Sequence, residues 1–74
     1  MARAFDGAAL RDARRLAGIP AAQLAAAIGR TEWTVWSYET GRIRPSVDIA
    51  AGLADALDLH VEQLLTRTPE KAVA

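Results

Sequence analysis

Apolar positions recur along this chain at helical spacing, in short runs that glycine, proline and small capping residues interrupt. Leu10, Ala13, Leu16 and Ala17 fall at the three- and four-residue intervals of one buried helical stripe. Asp6 precedes this stripe as an N-cap, and Phe5 and Leu10 stand at the spacing of a hydrophobic staple. Gly18 supplies a left-handed C-cap with Ile19 folding back, so the pattern predicts a first helix over 7–17. Pro20 opens a second helix over 21–28, with Leu24, Ala25 and Ile28 inward and Gly29 at its end. Thr31 caps a third helix that Gly41 closes, and Glu32 suits the positive end of its dipole. Arg42–Pro45 is expected as an extended loop, because the residue before proline avoids the α region. Ser46 caps a fourth helix over 47–57, with Val47, Ala50, Leu53, Ala54 and Leu57 inward and Asp48 in its first turn. After a tight connection at Asp58-Leu59, His60 or Val61 starts a fifth helix with Leu64 and Leu65 inward. The pattern fades from Thr66. The expectation is an all-α, compact five-helix domain over 1–67 with a frayed tail over 68–74.

The third helix carries the unusual feature. At about 100° per residue, Glu32, Trp33, Trp36, Ser37 and Thr40 share an arc of about 140°. Thr34, Val35, Tyr38 and Glu39 fall on the other side, with Val35 and Tyr38 as core anchors. Two tryptophans on an outward arc imply a partner. Rotating the helix to bury them would displace Val35 and Tyr38.

Seventy-four residues make one small domain, a size that buries only about 60% of its unfolded surface. Cysteine is absent, so disulfides and thiolate metal sites are excluded. A helical core or a partner subunit must supply the stability. His60 is the sole histidine, so no metal site and no cofactor are expected. Asp55 and Asp58 have no basic or nucleophilic companion, so the chain is not expected to be an enzyme or to take a small-molecule substrate. No apolar run is long enough for a membrane span and no leader pattern is present, so the expected location is the cytoplasm. Net charge is zero overall, but its distribution is polarised. Residues 1–45 hold seven arginines against four acids, and residues 46–74 two basic residues against five acids. Such a field turns the front half toward an anion, although a solvated mixed surface is the plainer alternative.

A short helix, a turn containing Gly29-Arg30 and a second short helix capped by Thr31 form a helix-turn-helix unit. The surrounding run has Leu10-Arg11, Arg14, Ala17-Gly18-Ile19, Gln23-Leu24-Ala25, Ile28-Gly29, Thr31, Thr34-Val35, Tyr38-Glu39, Gly41-Arg42, Pro45-Ser46, Leu53-Ala54, Leu57-Asp58-Leu59 and Leu64-Leu65. Over residues 9–65 it resembles the phage-repressor (Cro/C1, XRE-type) helix-turn-helix family, most specifically in Tyr38-Glu39, Gly41 and Pro45-Ser46. The resemblance implies a lambda-repressor-like fold that binds double-stranded DNA, commonly as a two-fold dimer, to regulate transcription. It assigns base reading to Glu32, Trp33 and Ser37, with Trp36 beside them. Phosphate contacts fall to Thr40, Arg42 and Arg44, with Arg30 and Thr31 at the turn. It pairs Arg14 with Glu39 as structural support, and makes Leu57, Leu59 and Val61 candidates for the dimer contact.

Two departures from that family stand out. Helix two begins Pro20-Ala21 where the family has Ser-Gln, so a side-chain cap and a phosphate clamp are both lost. The reading face carries two indoles and a carboxylate where amides, hydroxyls and guanidinium groups are usual. An alternative therefore stays open: a protein-interaction module on the same fold, such as an antitoxin or a partner-binding adaptor, with the tryptophans as its contact.

Overall fold

Capping chemistry sets where the helices begin. Asp6 accepts from the Ala9 N–H at 3.1 Å, Thr31 from Thr34 at 3.2 Å and Ser46 from Ile49 at 3.2 Å, each satisfying a first-turn donor. Pro20 offers no side-chain cap, and its carbonyl instead receives Gln23 and Leu24 at 3.0 and 3.1 Å. The resulting helices are α1 Gly7–Ala17, α2 Ala21–Ile28, α3 Glu32–Glu39 and α4 Val47–Ala56. A 3-10 turn follows at Val61–Leu64, and a two-stranded antiparallel ribbon pairs β1 Arg3–Phe5 with β2 Leu65–Arg67. The computed structural model describes residues 3–67. The tail expected over 68–74 lies outside them.

The ribbon and the 3-10 turn correct the expectation of five helices in an all-α chain. The chain forms a single turn where the fifth helix was expected, and then leaves it as a strand. Asp58 adopts φ 58°, a left-handed conformation that short polar side chains tolerate, and this ends α4. The Gln63 side chain then folds back to accept from the His60 N–H at 2.9 Å, closing a single turn. The Leu64 carbonyl takes the Asp6 N–H at 2.7 Å, so the chain leaves the turn alongside residues 3–5. Phe5 and Leu65 are consequently register partners.

The core consists of Leu10, Ala21, Leu24, Ala25, Val35, Tyr38, Leu53, Ala54, Leu57 and Leu64. Phe5, Ile19, Ile28 and Ile49 pack against it at partial exposure, and Phe5 meets Tyr38 edge-on with ring centroids 6.5 Å apart. Three expected core positions are instead exposed: Leu16, Ala17 and Val47. Leu16 is 89% exposed, since six residues after Leu10 the helix has turned about 120° off that face. Arg14 occupies the inward position one turn after Leu10, and Ala17 is exposed as well. Val47 is 84% exposed because it heads α4, whose packing on α2 engages further along, where Gly52 faces Ile28.

One close approach fixes how α1 meets α3. Gly7 lies directly against the carbonyls of Tyr38 and Glu39, so a methyl group there would overlap both oxygens. The positive end of the α1 dipole thus abuts the negative end of α3. Gly7→Ala is expected to destabilise the domain by about 1–3 kcal/mol, the usual range for overpacking. A lower urea midpoint with an unchanged helical far-UV spectrum would demonstrate it.

Candidate nucleic-acid interface

The interface is built on the unit α2–turn–α3. Gly29 adopts φ 68° at the end of α2, and its amide and that of Arg30 return to the carbonyls of Ala26 and Ala25 at 3.2 and 2.9 Å. The chain reverses there and re-enters a helix at Thr31. Thr31 spends its oxygen on the cap of α3 and also lies 3.0 Å from the Thr34 hydroxyl.

Behind α3 sits the one ion pair among the described residues. Arg14 donates from Nε to Glu39 Oε2 at 2.6 Å and from Nη2 to Oε1 at 3.2 Å, a bidentate fork. Its third nitrogen, Nη1, reaches the Ile19 carbonyl at 3.1 Å. The Arg14 side chain is 13% exposed and that of Glu39 2%. The hydrogen bond to Glu39 raises the guanidinium pKa, outweighing burial, and the charges of Glu39 and Glu32 add to the effect. The arginine side of the pair is thus held in its charged form. One guanidinium ties the α1–α2 connection to the last residue of α3. The sequence indicates the pair, but its third bond, to Ile19, escaped sequence reasoning. An arginine four residues before a glycine C-cap is the available signal.

In front, the predicted arc separates into two parts. Glu32 is exposed, Trp33 is 55% exposed, Trp36 is 48% exposed and Thr40 is exposed. Ser37 is only 3% exposed, and its hydroxyl donates to the Trp33 carbonyl at 2.9 Å. It lies at the margin of the arc, and its own carbonyl receives the amides of Arg42 and Ile43 at 2.9 and 3.2 Å. The loop after α3 thus folds over Ser37, which corrects its placement on the outward face. That loop bends back on α3 and is not simply extended. The Thr40 hydroxyl likewise donates to the Trp36 carbonyl at 2.9 Å.

The cations surround this face without being consumed by it. Arg42 and Arg44 are exposed on the loop between α3 and α4, and neither pairs with a carboxylate among the described residues. Arg30 is exposed in the turn, where Nη1 returns to the Gly29 carbonyl at 3.2 Å. The arrangement is a short rigid helix presenting one carboxylate and two indole rings, with arginines at both of its ends. No described helix is long and apolar enough to cross a membrane, and no acid–histidine cluster able to hold a metal occurs among the described residues.

A family model described as a helix-turn-helix domain matches residues 7–66. The chain belongs to the helix-turn-helix DNA-binding family. No curated protein sequence matches it. Solved structures give the fold a closer context. The clp gene regulator ClgR from Corynebacterium glutamicum is similar at 31% identity and TM-score 0.76, over 78% of this chain and 62% of that one. This chain therefore spans only about three fifths of the length of ClgR. The restriction-modification controller protein C.AhdI from Aeromonas hydrophila is similar at 31% identity and TM-score 0.75, over 78% of this chain and 84% of that one. The P22 c2 repressor, solved with a synthetic operator, shares the fold at 22% identity and TM-score 0.74, over 78% of this chain and 88% of that one.

Arg14→Met is expected to destabilise the domain by about 3–5 kcal/mol, because it strands a buried carboxylate. Adding Glu39→Leu should recover most of that loss. A double-mutant cycle in urea gives the coupling, and simple additivity of the two changes would contradict the role assigned to the pair.

Proposed function

We propose that the chain is a sequence-specific transcriptional regulator that lays α3 in the major groove of DNA. The observation that carries this reading is the exposed Glu32–Trp33–Trp36 face on a helix fixed from behind by Arg14 and Glu39 and flanked by uncommitted arginines. An eight-residue helix presenting its first turns outward fits the groove in the manner of helix-turn-helix proteins. Glu32, Trp33 and Trp36 face the bases. Arg42 and Arg44 take phosphates on one side and Arg30 on the other. Thr31 and Thr40 spend their hydroxyls within α3, so their part is to hold the backbone in place while the arginines carry the charge.

Two-fold pairing belongs to the same proposal, with the two third helices about 34 Å apart in successive grooves. Leu57 is buried in this chain's own core, whereas Leu59 and Val61 are half-buried. Leu59 and the exposed Leu16 border an apolar recess of about 450 Å³ between α1 and the end of α4. That recess supports a contact with a second copy. The alternative, a protein-interaction module such as an antitoxin or adaptor, draws on the same exposed tryptophans. PlcR from Bacillus thuringiensis, 29% identical over 20% of its own length, was solved with both a peptide and DNA.

Titrating duplex DNA at low salt while following tryptophan emission tests the first reading. Quenching or a shift of the Trp33 and Trp36 signal is expected. Arg44→Ala should weaken all sequences alike and lower the slope of log affinity against log salt by about one. An unchanged emission with no complex on a gel would favour the protein partner. Leu16→Glu should keep the helical far-UV spectrum, convert dimer to monomer in sedimentation and remove the concentration dependence of the melting temperature; a dimer that persists would move the pairing surface elsewhere.

A further inference from the structure

The reading face has lost the groups that ordinarily recognise bases. Ser37 is covered by the following loop and bonded to the Trp33 carbonyl, and the Thr40 hydroxyl is bonded to the Trp36 carbonyl. No amide, guanidinium or free hydroxyl remains on the arc from Glu32 to Trp36. What remains is a carboxylate that can only accept hydrogen bonds, and two indoles about half exposed, whose single N–H donors discriminate poorly because guanine, adenine and thymine all present acceptors in the major groove.

The major groove offers few features to such a set. Its amino donors, N4–H₂ of cytosine and N6–H₂ of adenine, suit Glu32, while guanine presents only acceptors there and repels it. Its one apolar feature is the methyl group at pyrimidine C5. We infer that Trp33 and Trp36 recognise C5-methylated pyrimidine edges, so that this domain selects its sites by methyl groups more than by hydrogen-bond pattern. The inference rests on the DNA-binding reading above and specifies what that face binds. DNA is favoured as the occupant because Arg30 and the pair Arg42 and Arg44 flank the tryptophans with uncommitted positive charge. Thymine and 5-methylcytosine carry the same methyl in the same place. In 5-methylcytosine it stands beside N4–H₂, so one base can satisfy both an indole and the Glu32 carboxylate, which lies one helical turn before Trp36.

The test uses two pools of random duplex, one made with thymine and one with uracil in its place, offered to the full chain at low salt. Sites recovered from the thymine pool should carry thymine at fixed positions. Replacing each by uracil should weaken binding about fourfold, the burial of one methyl expressed as an affinity. Cytosine and 5-methylcytosine at the same positions distinguish the two methyl sources, and the methylated base should bind more tightly by a similar factor. Trp33→Ala and Trp36→Ala should each abolish the dependence at their own position, while Trp36→Phe should retain it; thermal melts establish that these variants stay folded. Equal recovery and equal affinity from both pools would overturn the inference while leaving DNA binding intact. No complex with either pool would overturn both, and would assign the tryptophan face to a protein partner.

Discussion

The buried pair of Arg14 and Glu39 is the constraint on which the rest of this small fold depends. An eight-residue helix with Val35 and Tyr38 as its apolar anchors has little packing to fix its roll. Charge geometry supplies what packing lacks. Rolling α3 inward would cover the exposed halves of two indoles, worth about 2–3 kcal/mol each at ~25 cal/mol per Å². It would also strand a dry carboxylate, at about 3–5 kcal/mol, and uncover Val35 and Tyr38, at about 1.5–3 kcal/mol each. The losses exceed the gains, so the tryptophans stay in solvent. The outward face is thereby free to carry residues that would otherwise seek the core.

The polar economy of α3 follows from the same arrangement. The carbonyls of Trp33 and Trp36 are engaged by the hydroxyls of Ser37 and Thr40, and those of Tyr38 and Glu39 face the start of α1 at Gly7. No buried side-chain nitrogen or oxygen lacks a partner among the described residues. The helix that presents the candidate interface is tied down along its length and at its rear end. Such preorganisation lets a small contact face bind without first being ordered.

Much of this was legible in the sequence, because the relevant signals are local. Asp6, Thr31 and Ser46 announce helix starts through their own hydrogen bonds, and Gly29 announces the turn through its left-handed backbone. The Arg14–Glu39 pair was indicated by a family resemblance and not by periodicity. What stayed hidden is non-local. The ribbon exists because Asp6 finds the Leu64 carbonyl, a contact far apart in sequence that no hydrophobic pattern encodes. Ser37 fell on the outward arc by angle alone, yet the loop after α3 doubles back over it. Leu16 fitted a helical repeat while lying about 120° from the buried line, where an arginine had taken the inward place.

The terminal ribbon also implies an order of assembly. The helices pack on elements one or two places away in sequence, α2 on α3 and α4 and α1 on α3, whereas Arg3 meets Arg67 only when almost the whole described chain has come together. Loop-closure entropy makes such long-range pairing the slow and late part of folding. The helix-turn-helix can therefore form its contacts first, with the ribbon closing behind it as a clasp. Interactions that form after the barrier act on unfolding more than on folding. Residues 3–5 and 65–67 then govern how long the domain stays folded, and the helices how quickly it becomes so.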